Sequence, residues 1–271
     1  MEEKRKVIVT GLILLGLLLV GGGLYYFLVL NRFHEPSKTQ AGEAVPGLAE
    51  EKPAEGGIEE RSPVALDQSD EYVRANLQGL SSQASFAAWI KVSGLIRRFV
   101  AAVDNVANGM SPRPQLEFLG PDKAFATVKK GRKLQIDPAS FGRYDNVADV
   151  FSSLDTALSV KAYRSLRPLI RDAYRELGYP TQDFQDTLIR AIDELLQVPL
   201  VRGPIVVEKQ VLTYIMPDRT LEELSPPQKH LLRMGAENVE IIQSKLREFA
   251  AALGVPADRL PKSRTYTPRS Y

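Results

Sequence analysis

Two pairs of carboxylates are candidates for acid–base chemistry. Asp172 and Glu176 lie four residues apart, and so do Asp145 and Asp149, which places each pair on one face of a helix. A general acid and a general base need pKa values that are driven apart in a pocket. Because two arginines interleave with the first pair, solvent-exposed ion pairs are the favoured interpretation. A hydrolase that acts on glycan or peptide is therefore kept only as an alternative.

Nucleophilic and metal chemistry have little support in the composition. The chain has no cysteine and only two histidines, His34 and His230, which excludes thiol catalysis, disulfides, cysteine–zinc sites and a histidine-rich metal site. A serine–histidine pair would have to use His230, which we expect to be exposed in the first turn of a helix. The motifs GxSxG, GxxxxGK(S/T), GxGxxG, HExxH and SxxK are absent. The sequence thus predicts no catalytic residue, no metal and no cofactor.

The stretch FGRYDNV, residues 141–147, gathers charged and aromatic side chains directly before a predicted helix. Asp145 can cap that helix, and Arg143 can pair with a distant carboxylate. Arg143, Tyr144 and Asp145 are also residue types that contact ligands or partners. Both interpretations fit the stretch, and the cap with a structural ion pair is favoured.

A second candidate site surrounds Gly235 in QKHLLRMGAENVEII. Apolar residues recur every three or four positions on both sides of the glycine, which predicts one helix over 226–253 with Gly235 on its packing face. A glycine there costs roughly 1 kcal/mol of helix propensity relative to alanine. We therefore expect a close neighbour at this point, such as the helix predicted over 156–177. Arg233 and Asn238 lie off the packing face and are candidates for partner or ligand contact.

The segment KKGRK, residues 129–133, puts four positive charges at the tip of a predicted hairpin. Such a tip can contact anionic lipid headgroups or acidic wall polymers. Charges at a hairpin tip also discourage pairing between sheet edges. This structural interpretation is the favoured one.

Apolar spacing along residues 65–254 predicts a mainly α fold of the α+β class, in which a helical domain carries a small antiparallel sheet. The segment 205–215 is rich in β-branched and aromatic residues and predicts a bent strand or a hairpin. Thr181 is expected to cap the helix that follows it. Helices are predicted over 70–80, 85–105, 146–154, 156–177, 182–197 and 226–253, and strands over 116–119, 123–128 and 133–136.

The N-terminal segment has the composition of a membrane anchor. Residues 7–30 contain no charge and are long enough to span a bilayer as a helix. Three basic residues precede them directly, so residues 1–6 should be cytoplasmic and the rest of the chain should lie on the other side of the membrane. The glycines at 21–23 also suit a cleaved signal peptide, but the apolar run continues past them, which favours the uncleaved transmembrane helix.

Three further segments follow the predicted anchor. Residues 31–64 are rich in proline, glycine, alanine and glutamate, which predicts a flexible, disordered linker. Residues 65–254 hold the apolar pattern of the folded domain, and residues 255–271 are expected to form a flexible polar tail. From residue 65 onward the chain carries 28 basic and 24 acidic residues. This mild excess of positive charge does not predict a nucleic-acid partner.

The chain resembles a bacterial family of single-pass envelope proteins that share a domain of unknown function. The resemblance covers residues 66–253 and depends on the order and spacing of five segments: LDQSDEYV, LIRRFVAAVDNVANG, FGRYDNV, AYRELGYP and LLRMGAENV. It implies an inner-membrane protein with a periplasmic domain, and it implies no activity. Ala236 stands where the resemblance leads us to expect proline.

These observations lead to three functional hypotheses. We favour a non-catalytic domain, anchored in the bacterial inner membrane and exposed to the periplasm, that binds an envelope protein or a cell-wall component. The alternatives are the envelope hydrolase and a sensor in which Arg143 and Arg233 clamp a small acidic ligand. The sequence does not predict the oligomeric state.

Overall fold

The computed structural model of this chain describes residues 62–211 and 213–268. The predicted anchor at 7–30 and nearly all of the predicted linker at 31–64 lie outside these residues. Within the described ranges, no helix is both long enough and apolar enough to cross a lipid bilayer.

Helices predominate in the part of the chain that the structure describes, and six short strands accompany them. This confirms the predicted mainly α fold with a small antiparallel sheet. The helices are α1 (Asp70–Leu77), α2 (Ala84–Trp89), α3 (Leu95–Ala107), α4 (Asp145–Ser153), α5 (Thr156–Glu176), α6 (Phe184–Leu196), α7 (Arg219–Glu222), α8 (Pro226–Leu232) and α9 (Ala236–Ala252). The strands are β1 (Thr127–Lys130), β2 (Lys133–Ile136), β3 (Leu200–Val201), β4 (Val206–Lys209), β5 (Tyr214–Ile215) and β6 (Thr265–Tyr266).

One half of the core forms around α5, a helix of 21 residues. The Asp155 carboxylate caps its first turn by accepting a hydrogen bond of 2.7 Å from the Leu158 amide. Helices α1, α3 and α6 pack against α5, and buried apolar side chains such as Leu169 fill the space between them. The Tyr174 and Thr187 hydroxyls lie 2.8 Å apart and share a hydrogen bond. These two hydroxyls are therefore satisfied inside an apolar cluster.

The other half contains four antiparallel strands in the order β1–β2–β4–β5. Gly131 turns the β1–β2 hairpin with a φ of 60°, a left-handed conformation that glycine adopts without steric cost. The strand predicted over 133–136 is confirmed, and the segment 205–215 forms the β4–β5 hairpin. Buried residues of β2, β4, α6, α8 and α9 form one apolar cluster.

The helix predicted over 85–105 is divided at Gly94, which has a φ of 69°. Helix α2 ends before this glycine, and α3 begins after it. The Asp70 carboxylate, which belongs to α1, accepts hydrogen bonds of 2.9 and 3.1 Å from the amides of Gly94 and Leu95. These amides start a helix and have no partner within it. The prediction of one continuous helix is wrong because a carboxylate from another helix caps the second part.

Two further local predictions are wrong. The segment predicted as a strand over 116–119 contains a 3-10 turn at Glu117–Leu119, in which the carbonyl of Glu117 accepts a local hydrogen bond instead of one from a neighbouring strand. Helix α6 is capped by Asp183 and not by Thr181. The aspartate directly precedes the first helical residue, so its carboxylate reaches the Gln185 amide at 2.9 Å.

Residues 255–268 do not form the flexible tail that the sequence predicts. Strand β6 pairs in parallel with β3 and places Thr265 opposite Leu200. Leu260 is buried in the core, and the Tyr266 hydroxyl donates a hydrogen bond of 2.9 Å to the Asp218 carboxylate. A segment with so few apolar residues has no periodic pattern, yet one buried leucine and the edge of β3 hold it against the domain.

Candidate functional site

The two candidate stretches are in contact in the folded protein. The helix predicted over 226–253 is divided into α8 and α9 at Gly235, whose φ of 86° and ψ of 155° form a combination that is almost restricted to glycine. A Cβ atom placed on Gly235 would lie 2.7 Å from the Cβ of Phe141. The expected close neighbour is therefore present, but it is Phe141 and not the helix predicted over 156–177.

Asn238 joins the same two stretches from α9. Its side-chain amide donates hydrogen bonds of 2.9 Å to the Asp145 carboxylate, 3.3 Å to the Phe141 carbonyl and 2.9 Å to the Met234 carbonyl. The residue is only 5% exposed. Its amide group is thus occupied within the protein, which leaves little of Asn238 for a partner to contact.

The Arg143 side chain is held by its neighbours in the same junction. Its guanidinium donates hydrogen bonds of 2.8 and 2.9 Å to the carbonyl oxygens of Ser140 and Lys123. It also lies over the rings of Phe125 and Tyr144, with the ring centroids 5.6 and 5.2 Å away. Backbone carbonyls and aromatic faces therefore take the place of the distant carboxylate that the sequence predicts for Arg143.

Asp145 and Arg233 lie at the ends of helices. Asp145 is the exposed first residue of α4 and not the residue before it. Arg233 directly follows α8, within electrostatic range of Glu222 and His230. Arg143 is bound to the Ser140 and Lys123 carbonyls, whereas Arg233 acts on other groups. The sensor hypothesis with two arginines around one acidic ligand gains no support from these contacts.

His230 is half-buried and not exposed as the sequence predicts. Its Nε2 atom lies 2.9 Å from the Ser111 hydroxyl oxygen. Burial, followed by the positive charges of Arg233 and Arg113, holds the pKa of His230 below its ordinary value. A general base must accept a proton and become an imidazolium, and these surroundings disfavour that charge. The Ser111–His230 pair is therefore poorly suited to activating a nucleophile.

Four carboxylates of the domain, one from each predicted acid–base pair and two others, have separate structural partners. Glu176 forms an ion pair of 2.6 Å with Arg97, and Glu222 forms one of 2.8 Å with Lys229. Asp155 caps α5, and Asp145 accepts a hydrogen bond from the Asn238 side chain. Among the described residues, no three acidic or histidine side chains are grouped as metal ligands would be.

A cleft of about 350 Å³ lies between α6 and the turn that follows α9. We call it the α6–α9 cleft. Its volume falls in the range of small-ligand sites. Helix α6 contributes Ile189, Arg190 and Asp193 to its lining, and the segment after α9 contributes Val255 and Arg259.

Asp193 is chemically the most unusual residue of the α6–α9 cleft. Its Oδ1 atom is buried and has no hydrogen-bond partner. Burial raises the pKa of Asp193, and the positive charge of Arg259 opposes that shift. Arg259 has no ion-pair partner within 4 Å among the described residues, whereas Arg190 donates to the Thr187 hydroxyl at 2.9 Å. The α6–α9 cleft is therefore lined by a carboxylate that has one buried, unpartnered oxygen and by a guanidinium that has no ion pair among the described residues.

Neither residue type nor spacing marks this cleft in the sequence. Asp193 lies between Ile192 and Glu194, where it resembles any exposed residue of an amphipathic helix. Arg259 belongs to the segment that the sequence predicts to be a flexible tail. The one usable signal is the seven-residue spacing of Asp186 and Asp193, which places both on one face of α6.

Residues 95–250 match the family DUF3014, whose description is "protein of unknown function". The matched range runs from the start of α3 into α9 and includes all five predicted site residues and Asp193, whereas Arg259 lies beyond it. No curated protein and no solved structure matches the chain. Because the match covers more than half of the 271 residues, the chain belongs to the DUF3014 family.

Proposed function

We propose that this chain is an anchored protein of the bacterial cell envelope whose folded domain binds a protein or cell-wall partner and catalyses no reaction. The uncharged run at 7–30 and the three basic residues before it support insertion in the inner membrane with a cytoplasmic N-terminus. The folded domain then lies in the periplasm. A chain without cysteine is compatible with that oxidising compartment.

The non-catalytic role is supported by how the acid–base groups are used. The carboxylates that a hydrolase would need are spread over separate caps and ion pairs. His230 lies near two arginines that disfavour its protonation. An acid–base mechanism needs two such groups directed at one substrate, and these side chains are directed at the protein itself.

The observation that carries the binding role is the unsatisfied Oδ1 atom of Asp193 in the α6–α9 cleft. A buried carboxylate oxygen without a donor is unfavourable in free energy, and folded proteins contain few of them. A partner that brings an ammonium group near the Asp193 carboxylate and a carboxylate to Arg259 would compensate both charges. Peptides, including those of the cell wall, carry these two groups close together.

Site-specific photo-crosslinking in intact cells tests the binding role. A photoreactive amino acid in place of Ile189, which lines the cleft, should give a discrete adduct between this chain and its partner. The same amino acid in place of Lys161, which is exposed on α5, is the control and should give none. Failure of the cleft position to form an adduct, or identical adducts from both positions, would contradict the proposal.

Reporter fusions after Tyr271 test the anchoring separately. A reporter that is active only in the periplasm should be active in this fusion, and a reporter that is active only in the cytoplasm should be inactive. The opposite pattern would overturn the proposed topology without bearing on the cleft.

A further inference from the structure

The β1–β2 and β4–β5 hairpins turn at the same end of the four-stranded sheet. Strands β2 and β4 are antiparallel, and Leu134 lies opposite Val207. Lys133, the first residue of β2, and the turn at Gly131 therefore lie beside the end of β4. The turn between β4 and β5 begins at that point. Residues that are far apart in the sequence therefore share one edge of the domain.

Positive charge is concentrated at this end of the sheet. The four strands contain one acidic residue, Glu208, against five basic residues on the strands and their turns. None of the five forms an ion pair or a side-chain hydrogen bond within the described part of the chain. We call these five residues and Val211 the basic sheet end. The five basic residues are Lys129, Lys130, Arg132, Lys133 and Lys209.

Val211 lies in the turn between β4 and β5 and is 94% exposed. A single exposed valine is common on protein surfaces. This one lies at the same end of the sheet as five cations that have no ion pair among the described residues. The basic sheet end thus combines strong positive charge with an apolar tip.

We infer that the basic sheet end lies on the surface of an anionic phospholipid bilayer. Lysine and arginine side chains at such a surface are attracted to the lipid phosphates. Val211 enters the headgroup region, where its side chain is removed from water. An acidic wall polymer would complement the charges but would leave Val211 in water, so the two features together favour lipid. The inference uses neither the α6–α9 cleft nor the predicted anchor.

A single fluorescent label tests the contact in the full chain. Because the chain has no cysteine, Val211→Cys provides one attachment point for a fluorophore that responds to its environment. The protein is incorporated in vesicles of phosphatidylcholine alone or of phosphatidylcholine mixed with phosphatidylglycerol. We expect the emission to move to shorter wavelength only in vesicles that contain phosphatidylglycerol. The emission should return to its original wavelength when salt reaches about 1 M, where the Debye length is about 3 Å. The same label at Leu177→Cys, at the end of α5, should not respond.

Two variants with the same change in net charge serve as a matched pair. The first reverses three residues of the basic sheet end and should lose the emission shift: Lys129→Glu, Lys130→Glu and Arg132→Glu. The second reverses three exposed residues elsewhere and should retain it: Lys161→Glu, Arg164→Glu and Lys262→Glu. Circular dichroism shows whether the first variant folds. If it does not, the loss of the emission shift at high salt, in the protein without charge reversals, tests whether the contact depends on charge.

Equal emission in the two kinds of vesicle, or a shift that persists in the first variant, overturns the inference. An emission wavelength that is unchanged by both kinds of vesicle but moves with polyglutamate also overturns the inference, because the contact would then be with an acidic polymer. Sedimentation of the chain with phosphatidylcholine vesicles reports on the predicted anchor alone. Failure of the anchor and failure of this contact are therefore distinguishable.

Discussion

Gly235 and Phe141 are in such close contact that a side chain at position 235 would overlap the aromatic residue. A Cβ atom on the glycine would lie 2.7 Å from the Phe141 Cβ and 2.8 Å from its Cγ. Asn238 strengthens the same contact with hydrogen bonds to the Phe141 carbonyl and the Asp145 carboxylate. The two stretches that look like ligand sites in the sequence thus form a packing junction between α9 and the start of α4.

Gly235→Ala should lower the free energy of unfolding by about 2–5 kcal/mol, because it adds backbone strain to overpacking against Phe141. Gly235→Leu should lower it further. Gly254→Ala is the control, since Gly254 also has a positive φ, of 90°, but has nothing within 4 Å of an added Cβ. It should cost only roughly 1 kcal/mol. Urea unfolding measures all three, and equal losses for the two alanine variants would contradict the role of Phe141.

Asn238→Ala should destabilise the domain by about 2–3 kcal/mol, because it removes the donor that Asp145 and the Phe141 carbonyl share. Asn76→Ala is a matched control, since the Asn76 amide makes one hydrogen bond, of 2.9 Å, to the Tyr72 carbonyl within α1. It should cost less than about 1 kcal/mol. Thermal unfolding of both variants provides the comparison. A loss at Asn238 no larger than the loss at Asn76 would argue that the junction is weak.

The pKa of His230 should lie below its ordinary value of about 6.5, because burial and the charges of Arg233 and Arg113 disfavour the imidazolium. The unfolded chain then binds more protons than the folded protein, so the free energy of unfolding falls as the pH drops below about 6.5. His230→Gln should flatten this dependence, and Arg233→Gln should raise the histidine pKa. Histidine proton NMR across a pH series measures both, and a pKa above the ordinary value would contradict this electrostatic account.

Asp193→Asn should raise the melting temperature at neutral pH by about 1–3 °C. Burial raises the pKa of Asp193, so the folded protein binds the proton more tightly than the unfolded chain, and stability falls as the pH rises through that pKa. Removing the carboxylate removes this loss. Asp186→Asn, at an exposed residue of the same cleft, should leave the melting temperature unchanged. A marked destabilisation by Asp193→Asn would assign the residue a structural role instead of a binding role.

Local patterns in the sequence predict most of the helices, because each needs only its own apolar face and its own boundaries. The apolar spacing predicts a helix over 156–177, and α5 is Thr156–Glu176. The errors arise where a distant residue decides the local structure. Asp70 caps α3 from another helix, and β3 orders the last strand through a parallel pair. Neither partner can be identified from the residues nearby.

The candidate site was predictable only in part, and for the same reason. The sequence singles out Arg143, Asp145 and Asn238 by type, but only the fold shows that their hydrogen bonds are made within the protein. Asp193 is the opposite case, since its neighbours suggest an ordinary exposed residue of a helix. Its buried, unpartnered oxygen belongs to a residue that lines a cleft together with the segment after α9, and that segment has no pattern of its own.

The most direct test of the binding role is the yield of the crosslinked adduct from Ile189 in intact cells, compared between the unaltered chain and its Asp193→Asn variant. Both proteins must be present at equal levels in the membrane fraction. The account predicts a discrete adduct that the substitution reduces about tenfold or more, since a buried charge-assisted hydrogen bond contributes roughly 1.5–3 kcal/mol. An adduct of equal yield from both proteins would contradict the claim that Asp193 holds the partner in the α6–α9 cleft.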